Sequence, residues 1–234
     1  MTNILILGNS HVRALKKAAG GDGRFTVHWL KDKPEDKVGD ILLDAAHALI
    51  DALAPGDALV LSRIGTMHNV QGLVNHDLPF TLTGDAAGGR HLIPQGTMRA
   101  DLERRITARE GLVPKLARRA PCPVLHLMPP PPKQHLHLPE DRDLVYRGRS
   151  IAEVGFAPAP ERLAMWRLEE RVLADHLTAV GVQHVPPPPE TLTPEGYLHP
   201  DYQANDTTHG NVAYGRRVLA QLAALTAARV SEHQ

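Results

Sequence analysis

Ser10, Asp206 and His209 are the residue types from which a chain builds a nucleophile with its general base. Ser10 stands in Gly8-Asn9-Ser10-His11, directly after an apolar run, where a strand gives way to a helix. There its hydroxyl emerges at the top of a sheet, and its N–H lies at a helix N-terminus, whose partial positive charge favours an anion. Both properties suit a nucleophile, although a serine in this place also serves simply as a helix cap. Asp206-Thr207-Thr208-His209-Gly210 comes just before the last helical stretch. An Asp three residues ahead of a His in a turn can accept the imidazole Nδ1–H, which fixes the tautomer whose Nε2 takes a proton from a hydroxyl. Capping of the next helix by Asp206 or Thr208 is the plainer alternative.

Two further pieces offer hydrogen-bond donors. Ile64-Gly65-Thr66-Met67-His68-Asn69 follows an apolar run, and the amide of Asn69 can donate to a developing oxyanion, a contact whose loss costs about 3 to 4 kcal/mol. His68 beside it is a substitute donor. Gly39, in Lys37-Val38-Gly39-Asp40, could present a backbone N–H to the same oxygen. As ordinary turn residues, Asn69 and Gly39 need no such role.

These pieces must be held by the elements between them. Ile4 to Leu7 is a continuous apolar run ended by Gly8, as expected of a parallel strand buried on both faces. Helix-favouring residues run from about His11 to Ala19, a second strand covers Phe25 to Leu30, and Leu42, Ala45, Leu49 and Leu53 fall on one helical face, which predicts a helix over about 40–53. Ala58 to Leu61 reads as the third strand, fed by the turn Pro55-Gly56-Asp57. A single helix over about 99–119 then leads to a fourth strand, Pro123 to Met128. Leu163, Trp166, Leu173, Leu177 and Val180 mark another helix, Val182 to Val185 a fifth strand, and Val212 to Val230 a closing helix. Two stretches, about 64–98 and 129–158, show no sustained period and read as irregular insertions near the site. The alternation of short β-rich runs with helices predicts an α/β fold, a doubly wound, mainly parallel five-stranded sheet with helices on both faces. In such sheets ligands bind beyond the carboxyl ends of the strands, where Ser10, Asn69 and the 198–209 loop all collect.

Composition narrows the function. The 234 residues carry 26 basic and 26 acidic side chains, and a neutral chain argues against a nucleic-acid partner, which needs a surplus of Lys and Arg on one surface. The nearest cluster, Arg99, Arg104, Arg105 and Arg109, is interrupted by Asp101, Glu103 and Glu110 and reads as a solvated helix face. No stretch approaches the 18 or more apolar residues of a membrane span, and Ile4 to Leu7 is too short for a signal-peptide core, so the expectation is a cytoplasmic protein. A single cysteine, Cys122, makes no internal bridge. Fourteen histidines, among them His126, His135 and His137, invite a metal reading, but without a His-Glu-x-x-His or a cysteine pair no metal and no cofactor is expected.

The order of the pieces, a serine after the first strand, a glycine at the second helix, a Gly and an Asn after the third strand and a C-terminal Asp-x-x-His, resembles the SGNH (GDSL-type) hydrolase superfamily. The resemblance implies a flavodoxin-like sheet of order 2-1-3-4-5 in a single domain spanning 1–234, and ester hydrolysis through an acyl-enzyme on a small-molecule ester. By that resemblance Ser10 matches the nucleophile, Asp206 the orienting acid, His209 the general base, and the Ser10 N–H, Gly39 and Asn69 the oxyanion donors. The chain departs from the family pattern at Asn9, where Asp is usual, and at Asn69, which comes four residues after Gly65 instead of two. Two Trp, three Phe and four Tyr are little material for a long acyl tunnel, which favours a short acyl group, such as acetyl on a sugar or other polar alcohol. An acyltransferase, or a non-catalytic protein binding a sugar or an anion on the same fold, is the alternative.

Overall fold

Short apolar runs form the centre of the molecule. The computed structural model describes residues 2–83, 89–109, 111–137, 145–146 and 148–232. In it β1 (Ile4–Gly8) is followed by α1 (Val12–Ala19), β2 (Phe25–Trp29), α2 (Leu43–Asp51), β3 (Ala58–Ser62) and α3 (Met67–Gly72). Next come β4 (Phe80–Thr81), β5 (His91–Leu92), α4 (Gln95–Arg109), α5 (Leu112–Arg119) and β6 (Val124–Leu127). The chain continues through β7 (Val145–Tyr146), β8 (Arg149–Ser150), α6 (Ile151–Val154), α7 (Ala159–Ala179), β9 (Gln183–Val185) and α8 (Val212–Glu232). The five long runs make one parallel sheet in the order β2-β1-β3-β6-β9. Counting only these strands, that is the doubly wound order 2-1-3-4-5.

Side chains of a strand point alternately to its two faces, and β1 and β3 divide their apolar residues accordingly. Leu5, Leu7, Leu59 and Leu61 pack with Ile50 of α2, Leu102 of α4, Leu116 of α5 and Leu173 of α7. Ile4, Ile6 and Val60 pack on the other face with Val12 and Leu15 of α1 and Val218 and Leu222 of α8. Because helices cover both faces, every residue of β1 and β3 is buried, and the runs are unbroken by polar residues until Ser62. Each such Leu or Ile stabilises the fold by about 1.5 to 3 kcal/mol relative to an exposed one.

Several expected boundaries shift. The helix expected over 99–119 is two helices, α4 and α5, because Pro114 cannot sit inside a continuous helix without removing a hydrogen bond and striking the preceding turn. Restarting at Leu112 places Pro114 in the first turn of α5, where its missing N–H costs no intrahelical bond. The helix expected from about 40 begins at Leu43, since Asp40 and Ile41 are drawn back to the end of β2, with the Asp40 N–H on the Trp29 carbonyl at 2.7 Å and Ile41 bridged to Leu30. The two irregular stretches hold short elements, α3 with the parallel pair β4 and β5 in one, and the antiparallel hairpin β7 and β8 with α6 in the other. Residues 84–88 and 138–144 of these stretches, like Glu110, lie outside the described residues. Arg99, Arg104 and Arg105 of α4 stand in ion pairs at the surface, Arg99 with Glu103 and Asp175, and Arg104 and Arg105 with Asp101.

Candidate active site

Ser10 lies in the tight turn between β1 and α1, after Gly8. A side chain at Gly8 would strike Val12 Cγ1 at 2.4 Å and the Ser62 carbonyl at 2.8 Å, so only glycine lets the strand end this close to its neighbours. The His11 N–H is taken by the Asn9 side chain, and the Ser10 hydroxyl is left for a distant partner. That partner is His209, whose Nε2 is 2.8 Å from Ser10 Oγ. His209 Nδ1 is in turn 2.9 Å from Asp206 Oδ2. The other carboxylate oxygen, Oδ1, accepts the N–H groups of Thr208 at 3.0 Å and His209 at 2.8 Å, so Asp206 organises the turn and orients the ring together. Burial pushes the Asp206 carboxyl up, but the bonds from the His209 ring and from the two backbone N–H groups outweigh it and hold the group well below the usual carboxylate range.

The loop that carries the acid and the histidine is fixed from several sides. Gln203 bridges Gly210, the Ala204 N–H meets the His209 carbonyl at 3.0 Å, and Asn211 Nδ2 donates to the carbonyls of Asp201 and Gln203. Lys133 reaches the same loop from the segment after β6, with Nζ on the Ala204 carbonyl at 2.6 Å and on the Asp206 carbonyl. The ring of His11 stacks at a tilt on His209, centroids 4.5 Å apart. Enclosure of its Nδ1 edge, with His209 and His68 nearby, holds His11 neutral down to about pH 3.

A cleft of about 360 Å³ opens beside the serine, lined by Ser10, His209, Thr66, Asn69, Val70, Trp29 and Tyr146 among others. The Ser10 N–H and the Asn69 amide donate no hydrogen bond among the described residues. Asn69 thus shares a cleft with Ser10 and His209. Gly39 stands at its edge with φ +104°, its neighbour Val38 lining the wall and Gly39 itself not. His68, the substitute donor, has its buried ring Nδ1 paired with Glu169 Oε2 at 2.7 Å. Glu169 of α7 also accepts the N–H groups of Met67 at 2.8 Å and His68 at 2.6 Å, satisfying the start of the helix that carries Asn69. The one signal for Glu169 in the sequence is a carboxylate between Trp166 and Leu173 on the apolar stripe of its helix. Nothing in the sequence distinguishes Lys133.

Of the histidines that invite a metal reading, His126 has a structural duty. His126 is fully buried in β6, where its Nε2 accepts the Arg63 and Ile64 N–H groups at 3.4 Å, and burial with His184 nearby lowers its pKa to about 3. Among the described residues no group of three or more His, Cys, Asp or Glu side chains could hold a metal ion. No described helix is long and apolar enough to cross a membrane.

No family model and no curated protein matches the chain. Among solved structures it is similar to an extracellular lipase from Streptomyces rimosus, at 14% identity over 96% of this chain and 99% of that one, with a TM-score of 0.51. The two share a fold. The chain is also similar to a GDSL-like lipase from Bacteroides thetaiotaomicron, at 11% identity over 97% of this chain and 89% of that one, TM-score 0.46. A carbohydrate acetylesterase family member from Sinorhizobium meliloti gives 13% identity over 97% and 99%, TM-score 0.45. In the fold shared with the Streptomyces lipase, the Ser10–His209–Asp206 arrangement occupies the carboxyl end of the parallel sheet, the place where such folds bind ligands.

Proposed function

We propose that this protein is a serine esterase of the SGNH type, cleaving a short acyl group from a small alcohol through an acyl-enzyme. The observation that carries the reading is the continuous hydrogen-bond path from the Ser10 hydroxyl through both His209 nitrogens to the Asp206 carboxylate. In this reading Ser10 Oγ attacks the ester carbonyl carbon and its proton passes to His209 Nε2. The tetrahedral oxyanion meets the free Ser10 N–H and the Asn69 amide, with the Gly39 N–H as a third donor. The carbon–oxygen bond to the alcohol then breaks, and His209 gives its proton to the departing oxygen. Water repeats the attack on acyl-Ser10, again with His209 as base, and releases the acid. Asp206 stays ionised throughout and stabilises the imidazolium.

The fold shared with a lipase supports ester chemistry, and the cleft of about 360 Å³, walled by Trp29, Val70 and Tyr146, supports a short acyl group. The whole span 1–234 acts as one unit here, since nucleophile and base come from its opposite ends. A fluorophosphonate probe tests the reading together with p-nitrophenyl acetate. Wild type should be labelled and should turn over the ester, and Ser10→Ala should do neither. Labelling without turnover would point to transfer onto another acceptor, and wild type that does not label would overturn the reading.

A further inference from the structure

The chain spends a nearly fully enclosed ammonium group on the loop behind the histidine. Lys133 is 3% exposed, immediately after a run of four prolines that brings it to the rim of the sheet. Its backbone is anchored on both sides: Lys133 bridges Leu198, and its carbonyl accepts Arg162 Nη2 of α7 at 2.8 Å. Its Nζ donates to the carbonyls of Ala204 and Asp206, and lies 3.8 Å from Asp206 Oδ1. Taking an ammonium out of water costs several kcal/mol, and a methionine would fill the same slot without that cost. The two carbonyls flank Asn205 at the turn that delivers the acid, and a third N–H remains beside the Asp206 carboxylate.

We propose that Lys133 is a positioning residue, whose ammonium clamps the Ala204–Asp206 turn so that the carboxylate meets His209, and whose charge lies on the same carboxylate that the His209 ring uses. The Asp206 carboxylate lies on one side of the imidazole, Lys133 shares that carboxylate, and the neutral ring of His11 stacks from just before α1. Arg13 and Lys17 of α1 line an outer groove that His209 also lines, and the charge of His68 of α3 reaches His11. Arg162 donates to the carbonyls of Ala157, Lys133 and Gln134. Removing the ammonium leaves Asp206 a less shared partner, so His209 binds its proton more tightly.

This role deepens the esterase reading and rests on it, yet the titration of His209 can be read without any activity. Lys133→Met and Lys133→Arg in the full chain are compared with wild type by NMR of the labelled imidazole and by the pH dependence of kcat. In Lys133→Met the His209 midpoint should rise by about half a unit or more, carrying the acid limb of kcat with it. In the same variant kcat should fall at least about tenfold with KM nearly unchanged, because a displaced acid–base pair weakens the transition state more than substrate binding. Lys133→Arg should return the midpoint toward wild type. Where Lys133→Met does not melt cooperatively, Lys133→Gln, which keeps two donors and lacks the charge, should show the same rise. An unchanged midpoint with kcat within about twofold of wild type in a folded variant would overturn the role of Lys133 and leave the esterase reading standing. A shifted midpoint in a chain without Ser10-dependent hydrolysis would do the reverse.

Discussion

Gly215 of α8 lies against the Ala14 carbonyl of α1 with no room for a side chain between them: a Cβ there would stand 2.5 Å from that oxygen. α1 begins two residues after Ser10, and α8 begins three residues after His209. The close crossing of these two helices therefore sets how the first strand turn meets the last loop. Substituting Ala for Gly inside a helix normally stabilises it by about 1 kcal/mol. Gly215→Ala should do the opposite, lowering stability by about 1 to 3 kcal/mol as the helices are forced apart, and it should lower kcat as well. Urea denaturation beside steady-state kinetics checks both, and a more stable, fully active variant would contradict the crossing.

Asp206 both orients the ring and ties the turn, through separate oxygens. Asp206→Asn keeps the acceptor for the backbone N–H groups but turns an amide N–H toward His209, favouring the wrong tautomer. The expected result is a loss of about 10³ to 10⁴ in kcat together with a lower melting temperature at neutral pH, because the stability held by the ionised carboxylate goes with its charge. Activity within tenfold of wild type would remove Asp206 from the mechanism.

Glu169 reaches the site only through α3. Its fully buried carboxylate accepts two backbone N–H groups and the His68 ring, and Glu169→Gln leaves one of these donors unsatisfied. That should cost about 1 to 3 kcal/mol of stability. The displaced α3 should carry Asn69 with it, so kcat should drop more than KM rises. Thermal melts and a kcat against KM comparison read the two effects.

How much of this was legible beforehand depends on how local each interaction is. β1 and β3 are buried on both faces by neighbours of the same kind, so their apolar runs alone announce the strands and the turn that carries Ser10. Asp206 and His209 meet within one turn, and their spacing states the contact. The pairing of His68 with Glu169 is not legible, because the two lie 101 positions apart and nothing near His68 hints at it. Lys133 is invisible for the same reason, its acceptors being carbonyls 71 and 73 positions on, which any residue type could supply. The division of the 99–119 helix was readable in principle from Pro114, whose penalty inside a helix outweighs the good propensity of its neighbours.

Acid should destabilise the fold in two windows. The unfolded chain protonates at His126 near pH 6.5, whereas the folded chain refuses that proton until about pH 3, so stability declines as pH falls through this range. One such group contributes at most about 1.4 kcal/mol per pH unit. Asp206 acts in the opposite chemical sense and the same direction: its folded pKa is depressed, so its contribution is present above about pH 4 and is lost as pH falls further. Melting temperatures measured from pH 7.5 to 3.5 should fall steadily below about 6.5, and the His126 imidazole should remain neutral by NMR at pH 5. A charged His126 at pH 5 in the folded protein would contradict its burial.

The most direct test of the account is hydrolysis of a panel of short acyl esters by wild type beside His209→Ala, with fluorophosphonate labelling followed on the same samples. Turnover of short esters that disappears in His209→Ala, with the label on Ser10 of the wild type alone, is the predicted result. Equal turnover by the two proteins, or a label on any residue other than Ser10, would contradict it.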